Sequence, residues 1–398
     1  MRFATRPIPP LEDPLGRDPD LVWMSPRVSL WGWGEAARLH PGAGPDRFEA
    51  LRSQLSEMMA RARVEDRIGR AGTGPVAFVS LTFAPGSVGS VAVVPRVVVG
   101  RDPEGWWITA PEEEGLPDPG PDDPGIPDRA RYAGSSVPDL LWLEAVAMAL
   151  THIESGDVEK VVLARDYAVW SRRPFHRRRL LRHLHGRFPS CHVFQIADLV
   201  GASPELLVRR RDGRLESLVL AGSAPVYQDP EADRAAAAAL LDSAKDRWEH
   251  ELAVRSVRRS LEEVGISVAA DPQPGVLRLD NVRHLATSIT ARSPDGFDAL
   301  DAAARLHPTA AVGGTPTPAA LELISRLEGM DRGRYAGPVG WTDRNGDGEL
   351  AIALRCAELS GARARLFAGA GIVRGSLPEA ELEETRLKLG AMMGALGV

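Results

Sequence analysis

After residue 136, apolar runs of strand length alternate with longer segments of helical periodicity, and this alternation constrains the fold more than any other feature. Several strand-like runs follow one another with no helix between them, so the order is not a simple βαβ succession. The sequence therefore predicts a mixed α/β (α+β) domain with much antiparallel sheet. The predicted strands lie near 160–170, 191–197, 205–210, 215–221, 276–290, 335–342, 349–355 and 364–371, and the predicted helices near 137–155, 175–187, 230–264, 297–306, 317–329 and 378–396.

The preceding residues differ in composition. The first 40 or so are rich in Pro and Trp and are predicted to be irregular, whereas strands are predicted near 74–83, 90–99 and 105–109. Residues 111–129 are acidic, rich in Pro and Gly and nearly without apolar side chains, which predicts a solvated loop. We therefore expect a variable N-terminal region at 1–135 that completes the sheet, followed by the main domain at 136–398.

Bulk properties exclude several classes of protein. The formal net charge of −6 argues against a general nucleic-acid binder. Cys191 and Cys356 form neither a disulfide framework nor a zinc pattern, and no apolar stretch reaches membrane-spanning length. We expect a soluble cytoplasmic protein, monomeric, with no nucleic-acid or membrane partner.

One segment resembles a calcium-binding loop but lacks a required ligand. The run from Asp343 to Gly348 begins like a calcium-binding loop, but the twelfth position, which requires a bidentate Glu, is Leu354. Strands rather than helices are predicted on both sides. The run is therefore predicted to be a hairpin turn.

Two predicted helices each carry a pair of carboxylates three residues apart, which places each pair on one helix face. The pairs are Asp246 with Glu249, and Glu381 with Glu384. If the two helices face each other, these oxygen ligands suit Mg2+. The alternative is ordinary solvated helix charge.

Other residues of the second half suggest a small polyanionic substrate. Gly369 and Gly371 let backbone N–H groups approach an anion closely. Arg355 ends an apolar strand, where its guanidinium can bind a carboxylate through two hydrogen bonds.

A candidate base and a candidate acid follow from local context. Lys160 lies in an apolar strand, where desolvation would lower its pKa and let it deprotonate water. Glu205 follows a tight turn, and a carboxyl group in an apolar corner has a raised pKa and can donate a proton. Spacing alone leaves two alternatives open: that Lys160 is a lysine at a sheet edge whose ammonium group reaches solvent, and that Glu205 is an ordinary turn residue.

Ten motifs appear in order over about residues 137–398 and resemble the chorismate-utilising (chorismate-binding) enzymes, most closely the isochorismate synthase branch. The motifs are EKVVLAR, GASPELL, LAGS, SAKDRWEHEL, RHLATSI, LHPTAAVGGTP, RGRYAGPVGW, GDGELAIALR, AGAGIV and ELEETRLK.

The resemblance implies large, mostly antiparallel sheets with outer helices, a central active-site cleft, and an isomerase that converts chorismate to isochorismate with Mg2+. It implies that Lys160 activates water and that Glu205 protonates the departing hydroxyl group. Glu249 and Glu384 would ligate Mg2+, with Asp246 and Glu381 holding its water shell. The implied substrate-binding residues are Gly222, Ser223, His284, Tyr335, Arg355, Gly369, Gly371 and Lys388.

Two alternatives remain: a salicylate synthase, which eliminates pyruvate from the same intermediate, and a catalytically silent chorismate-binding protein. Ser223 departs from the Thr usual in the family, which leaves product fidelity open. Only three lysines occur in the chain, and Lys245 has no assigned role beyond balancing nearby charge. The motifs do not distinguish menaquinone, siderophore and other downstream pathways.

Overall fold

The computed structural model describes residues 2–120, 129–280 and 282–398. The predicted loop at 111–129 therefore lies partly outside the described residues, at 121–128. Up to residue 134 the described chain contains a short 3-10 helix at Pro14–Arg17, helix α1 at Arg47–Arg61, and a series of strands. These are β1 (Arg2–Ile8), β2 (Leu21–Met24), β3 (Ser29–Trp33), β4 (Ala37–Leu39), β5 (Arg63–Asp66), β6 (Val76–Ser80), β7 (Val91–Val94), β8 (Val97–Asp102), β9 (Gly105–Ala110) and β10 (Arg131–Gly134).

The remainder of the chain alternates strands and helices. The helices are α2 (Asp139–Ser155), α3 (Arg177–Arg187), α4 (Pro230–Asp242), α5 (Ala244–Glu262), α6 (Ala299–Leu306), α7 (Thr317–Leu327) and α8 (Pro378–Leu396). The strands are β11 (Lys160–Trp170), β12 (His192–Ile196), β13 (Leu199–Ser203), β14 (Leu206–Arg211), β15 (Arg214–Pro225), β16 (Val268–Ala270), β17 (Gly275–Arg278), β18 (Val282–Arg292), β19 (Gly314–Thr315), β20 (Pro338–Asp343), β21 (Gly348–Ile352), β22 (Cys356–Ser360) and β23 (Arg363–Val373). Within the described ranges, no helix is both long enough and apolar enough to cross a membrane.

The strands form two large sheets, which confirms the predicted mixed architecture. The first has the order β10-β11-β23-β22-β13-β12-β2-β3-β8-β9-β1-β5, with β19 beside β11. The second has the order β16-β18-β15-β14-β21-β20-β6-β7-β4, with β17 beside β18. Pairing between neighbours is antiparallel except for β1 with β5. Strands from the first 135 residues therefore occur in both sheets.

Strand β2 shows how the two cores are built, because successive side chains of a strand point to opposite faces. Leu21 and Trp23 pack with Phe78 of β6 in the core between the sheets. Val22 and Met24 belong to a second core, on the face covered by α3 and α8. Because both faces are buried, β2 is continuously apolar rather than alternating.

The prediction that the first 40 residues are irregular is wrong, since β1 to β4 lie there, and α1 was not predicted. Strands β2, β3 and β4 are only three to five residues long, and Pro7 within β1 interrupts the pattern by which strands are recognised. The predicted helix at 230–264 is two helices, because Ser243 has an extended backbone. Its hydroxyl oxygen accepts the N–H of Asp246 and caps α5.

The predicted hairpin turn at 343–348 is confirmed. It joins β20 to β21, and the carboxylate of Asp343 accepts the backbone N–H groups of Asn345 and Asp347 at 2.8 and 3.1 Å. The same carboxylate also accepts the N–H of Gly72 at 3.0 Å. Backbone N–H groups of the protein thus occupy the carboxylate of Asp343, the first residue of the run that resembles a calcium-binding loop.

We expect Trp23→Ala to lower the free energy of unfolding by about 3–5 kcal/mol, because it removes a fully buried indole from the core between the sheets. It also removes the indole N–H that Glu349 accepts at 3.0 Å. Urea denaturation followed by circular dichroism measures the change. Trp170, 41% exposed, is the control, and Trp170→Ala should cost less than about 1 kcal/mol. Equal small losses in both variants would mean that the N-terminal strands are not part of the main core.

Candidate active site

A cavity lies where β11 and β23 of the first sheet face β15 and β18 of the second. It contains about 670 Å³ of empty space, including the part open to solvent. Ten of the residues predicted from the sequence line it, namely Glu205, Gly222, Ser223, Glu249, His284, Tyr335, Arg355, Gly369, Gly371 and Lys388. Val162 and Val312 line the same cavity but were not predicted, since apolar side chains in apolar runs carry no sequence signal of a site.

Arg355 places a cation inside the protein. Arg355 is only 6% exposed, and this burial lowers the pKa of its guanidinium. Nη2 lies 2.7 Å from Nε2 of His284, whereas Nε and Nη1 are buried without a hydrogen-bond partner. The backbone of Arg355 is left-handed, with φ of 45°, so the chain turns sharply at this position. Buried donors without partners are rare. Arg355 is also a lining residue of the cavity, which places its guanidinium beside a space for an anion.

His284 is also engaged within the protein. Besides its contact with Arg355, its Nδ1 lies 3.1 Å from Oγ of Ser223 and 3.3 Å from the carbonyl oxygen of Gly222. Burial and the nearby cations Arg355 and Lys388 hold its pKa well below the usual range. The ring is therefore neutral at physiological pH.

Glu205 has the environment expected of a proton donor. The residue is 4% exposed, and burial raises the pKa of its carboxyl group to about 8. A hydrogen bond from the backbone of Leu220 and the cations Lys160, Lys388 and Arg355 act in the opposite direction. Burial prevails, and the carboxyl group is largely protonated at neutral pH.

Lys160 is fully buried, as the apolar strand predicts. It is the first residue of β11, and its Nζ lies 3.0 Å from Oε1 of Glu249 without the alignment of a hydrogen bond. Like Asp246, Glu381 and Glu384, it does not line the cavity directly. It reaches the cavity through Glu249 and Gly371, both of which do.

The predicted carboxylate pairs lie on two helices, as expected, with Asp246 and Glu249 on α5 and Glu381 and Glu384 on α8. Burial raises the pKa of Asp246 and of Glu381, and the Glu384 carboxylate raises both further. This mutual repulsion means that acids from the two helices lie within electrostatic reach of one another.

Each of the three lysines of the chain contacts one of these acids. The contacts are Lys160 Nζ to Glu249 Oε1 at 3.0 Å, Lys245 Nζ to Glu381 Oε1 at 2.6 Å, and Lys388 Nζ to Glu384 Oε1 at 2.6 Å. Lys245, which had no assigned role, thus neutralises a buried carboxylate. In the part of the chain that the structure describes, no three His, Cys, Asp or Glu side chains stand arranged as metal ligands.

Position 371 has no room for a side chain, which explains why it is glycine. A Cβ atom at this position would collide with Oε1 of Glu249 and lie 3.1 Å from Cε of Lys160. Gly371 pairs with Val162 where β23 lies beside β11. The absence of a side chain at Gly371 leaves room for the charged groups of Glu249 and Lys160 next to β23. Gly222 has φ of 72° at a bulge in β15, and its Cβ would lie 3.0 Å from that of Asp246.

A buried ion pair that was not predicted supports one wall of the cavity. Arg332 bonds Glu328, and it donates to the carbonyl oxygens of Val162 and Val312 at 2.8 Å each. Glu328 in turn accepts the backbone N–H of Ala164 at 2.7 Å. The pair holds β11 against the loop that precedes α7.

Comparison with known proteins identifies the family. The profile of a family described as "Chorismate binding enzyme" matches residues 124–397. A Mycobacterium tuberculosis protein, provisionally named isochorismate synthase MenF, is 40% identical over 346 residues, which cover 83% of this chain and 88% of the relative. The salicylate biosynthesis isochorismate synthase of Pseudomonas aeruginosa is 35% identical over 95% of this chain and 85% of its own length.

A solved structure agrees. The menaquinone-specific isochorismate synthase MenF of Escherichia coli superposes with a TM-score of 0.81 at 25% identity, covering 100% of this chain and 94% of that one. The match of a family profile to more than half of the chain, together with these relatives, leads to one conclusion. The chain belongs to the chorismate-binding enzyme family.

Proposed function

We propose that the protein is a Mg2+-dependent isochorismate synthase. The observation that carries the proposal is one cavity that holds both a buried guanidinium with unpartnered donors, on Arg355, and a largely protonated carboxyl group, on Glu205. The first suits a carboxylate of the substrate, and the second suits a hydroxyl leaving group. The relatives named above carry isochorismate synthase names, and none of those names is salicylate synthase.

The substrate would be held by its carboxylates. The guanidinium of Arg355 would bind the carboxylate of the enolpyruvyl group through N–H groups that His284 does not occupy, with Tyr335 beside it. Lys388 lines the same region, where its Nζ donates to the carbonyl oxygen of Gly369 at 2.9 Å. The backbone at Gly369 and Gly371 would complete this end of the pocket, and Gly222 and Ser223 would contact the ring.

The reaction adds one water and releases one water. Lys160 would take a proton from the incoming water as its oxygen bonds to C2 of chorismate. The ring double bonds shift, the C4–oxygen bond breaks, and Glu205 would donate its proton so that the hydroxyl group departs as water. Proton exchange with solvent then removes the proton gained by Lys160 and returns one to Glu205. Arginine could not replace Lys160, because a guanidinium does not give up its proton in proteins.

The carboxylates of α5 and α8 fit Mg2+ by their chemistry, since all four are hard oxygen donors whose mutual repulsion a cation would relieve. Glu249 and Glu384 would be the ligands, and Asp246 and Glu381 would hold the surrounding water. The contacts of Lys160 and Lys388 with the two ligands must open for the ion to bind. When bound, Mg2+ would neutralise the ring carboxylate of the substrate.

Incubation of the purified protein with chorismate and Mg2+, followed by chromatography of the products, tests the proposal. Isochorismate is expected as the product. Accumulation of salicylate without a second enzyme would instead establish the salicylate synthase alternative. An unchanged substrate would overturn the proposal, and binding of chorismate in a calorimetric titration would then identify a catalytically silent chorismate-binding protein.

We expect Glu205→Gln to lower kcat by about 10²- to 10⁴-fold, because the amide cannot donate the proton that the leaving hydroxyl group needs. A general acid acts in its protonated form, so the rate of the unmodified protein should fall as pH rises through about 8, the pKa of Glu205. A pH–rate profile measures both effects. The alkaline decline should be absent from the residual activity of the variant, and its persistence there would assign the acid elsewhere.

We expect Glu384→Gln to weaken Mg2+ binding by at least about tenfold, since it removes one anionic ligand. Isothermal titration calorimetry with MgCl2 measures binding without turnover. Glu383→Gln is the matched control, because Glu383 is the adjacent residue on α8, exposed and paired with Arg386. Equal Mg2+ affinities in the two variants would place the ion elsewhere.

A further inference from the structure

His284 lies at the centre of a hydrogen-bonded chain that uses both nitrogens of its ring. On one side, Nη2 of Arg355 lies 2.7 Å from Nε2. On the other, Nδ1 lies 3.1 Å from Oγ of Ser223 and 3.3 Å from the carbonyl oxygen of Gly222. Both His284 and Arg355 are 6% exposed, so water does not compete freely for these contacts.

The chemistry of the partners leaves one protonation state. A guanidinium has only donors, so Nε2 of His284 must present a lone pair to Arg355. The carbonyl oxygen of Gly222 is only an acceptor, so Nδ1 must carry the proton. His284 is therefore a neutral imidazole with its proton on Nδ1. An imidazolium would place two N–H donors and two positive charges against each other.

The backbone holds this arrangement. Ser223 and His284 are directly paired across β15 and β18, and the bulge at Gly222 turns its carbonyl oxygen towards the ring. The left-handed backbone of Arg355 directs that side chain back towards His284. Since Nη2 is held by His284, the plane of the guanidinium and the directions of its remaining N–H groups are fixed as well.

We propose that His284 is a positioning residue: as the neutral Nδ1–H tautomer it orients the guanidinium of Arg355 so that the N–H groups His284 does not occupy meet the substrate carboxylate. Its role is thus not direct binding of the substrate through a ring nitrogen, because both nitrogens are already bonded within the protein. The kinetic part of this inference rests on the proposed function, whereas the assignment of the tautomer does not.

Nitrogen-15 NMR of uniformly labelled protein at neutral pH tests the tautomer. The signals of His284 are assigned by their loss in His284→Gln. We expect Nδ1 to show the shift of a protonated nitrogen and Nε2 that of an unprotonated one. Protonation on Nε2, or on both nitrogens, would overturn the inference whether or not the protein converts chorismate.

Steady-state kinetics with chorismate test the positioning role. We expect His284→Ala to raise KM by about ten- to hundredfold, because a hydrogen bond to a charged group is lost and Arg355 is no longer aimed. The fall in kcat should be smaller. His284→Gln should recover much of the loss in KM, since its amide oxygen can accept from Nη2.

A large fall in kcat with unchanged KM in both variants would assign His284 to the chemical step and overturn the positioning role. The absence of any rescue by Gln, with both variants folded by circular dichroism, would overturn it as well. If the unmodified protein fails to convert chorismate, the proposed function fails, and the NMR measurement still decides the tautomer.

Discussion

The burial of the Arg355 guanidinium is the constraint around which the cavity is organised. A charge taken out of water costs several kcal/mol unless it gains compensating partners. Inside the protein, Arg355 gains one hydrogen-bond contact, to His284, and two of its donor nitrogens remain without a partner. A cavity beside such a guanidinium favours an anion, because a bound carboxylate supplies the hydrogen-bond acceptors that the protein does not provide.

Each of the three lysines of the chain contacts a carboxylate of α5 or α8. The fourth carboxylate, of Asp246, bonds the hydroxyl group of Ser243 instead. A divalent cation and a dianionic substrate would together add no net charge to this cluster. Compact ammonium groups also suit contacts that must open when a cation arrives, whereas the fork of an arginine would hold a carboxylate through two bonds.

Much of this site could be predicted from residue types in context. Lys160 and Glu205 were identified from an apolar strand and a tight turn, and burial of both is what the structure shows. The contacts between the residues could not be predicted, because they join distant segments. Gly222 and His284 meet through the register of β15 with β18, and Arg355 comes from the segment between β21 and β22. Gly371 was predicted to bind an anion through its backbone N–H group. The structure shows a further reason for glycine at this position, since a Cβ atom would collide with the carboxylate of Glu249.

The fold was predicted unevenly for a related reason. Long segments such as β11 and α8 were recognised because each extends over many residues without a Gly/Pro break in its first half, β11 as an apolar run and α8 as a helix rich in Glu and Leu. Strands β1 to β4 were missed because their conformation is set by partners far along the chain, such as β9 for β1 and β12 for β2. Ser243, which separates α4 from α5, lies within a helical pattern, and only its capping hydrogen bond reveals the break.

The central claim is that the unpartnered donors of Arg355 hold the substrate. A crystal structure with chorismate and Mg2+ bound, obtained with Glu205→Gln to slow turnover, tests it most directly. Our account predicts a substrate carboxylate within hydrogen-bond distance of N–H groups of Arg355 that His284 does not occupy, with Nη2 still on His284. A substrate bound elsewhere in the cavity, with no carboxylate on Arg355, would contradict it.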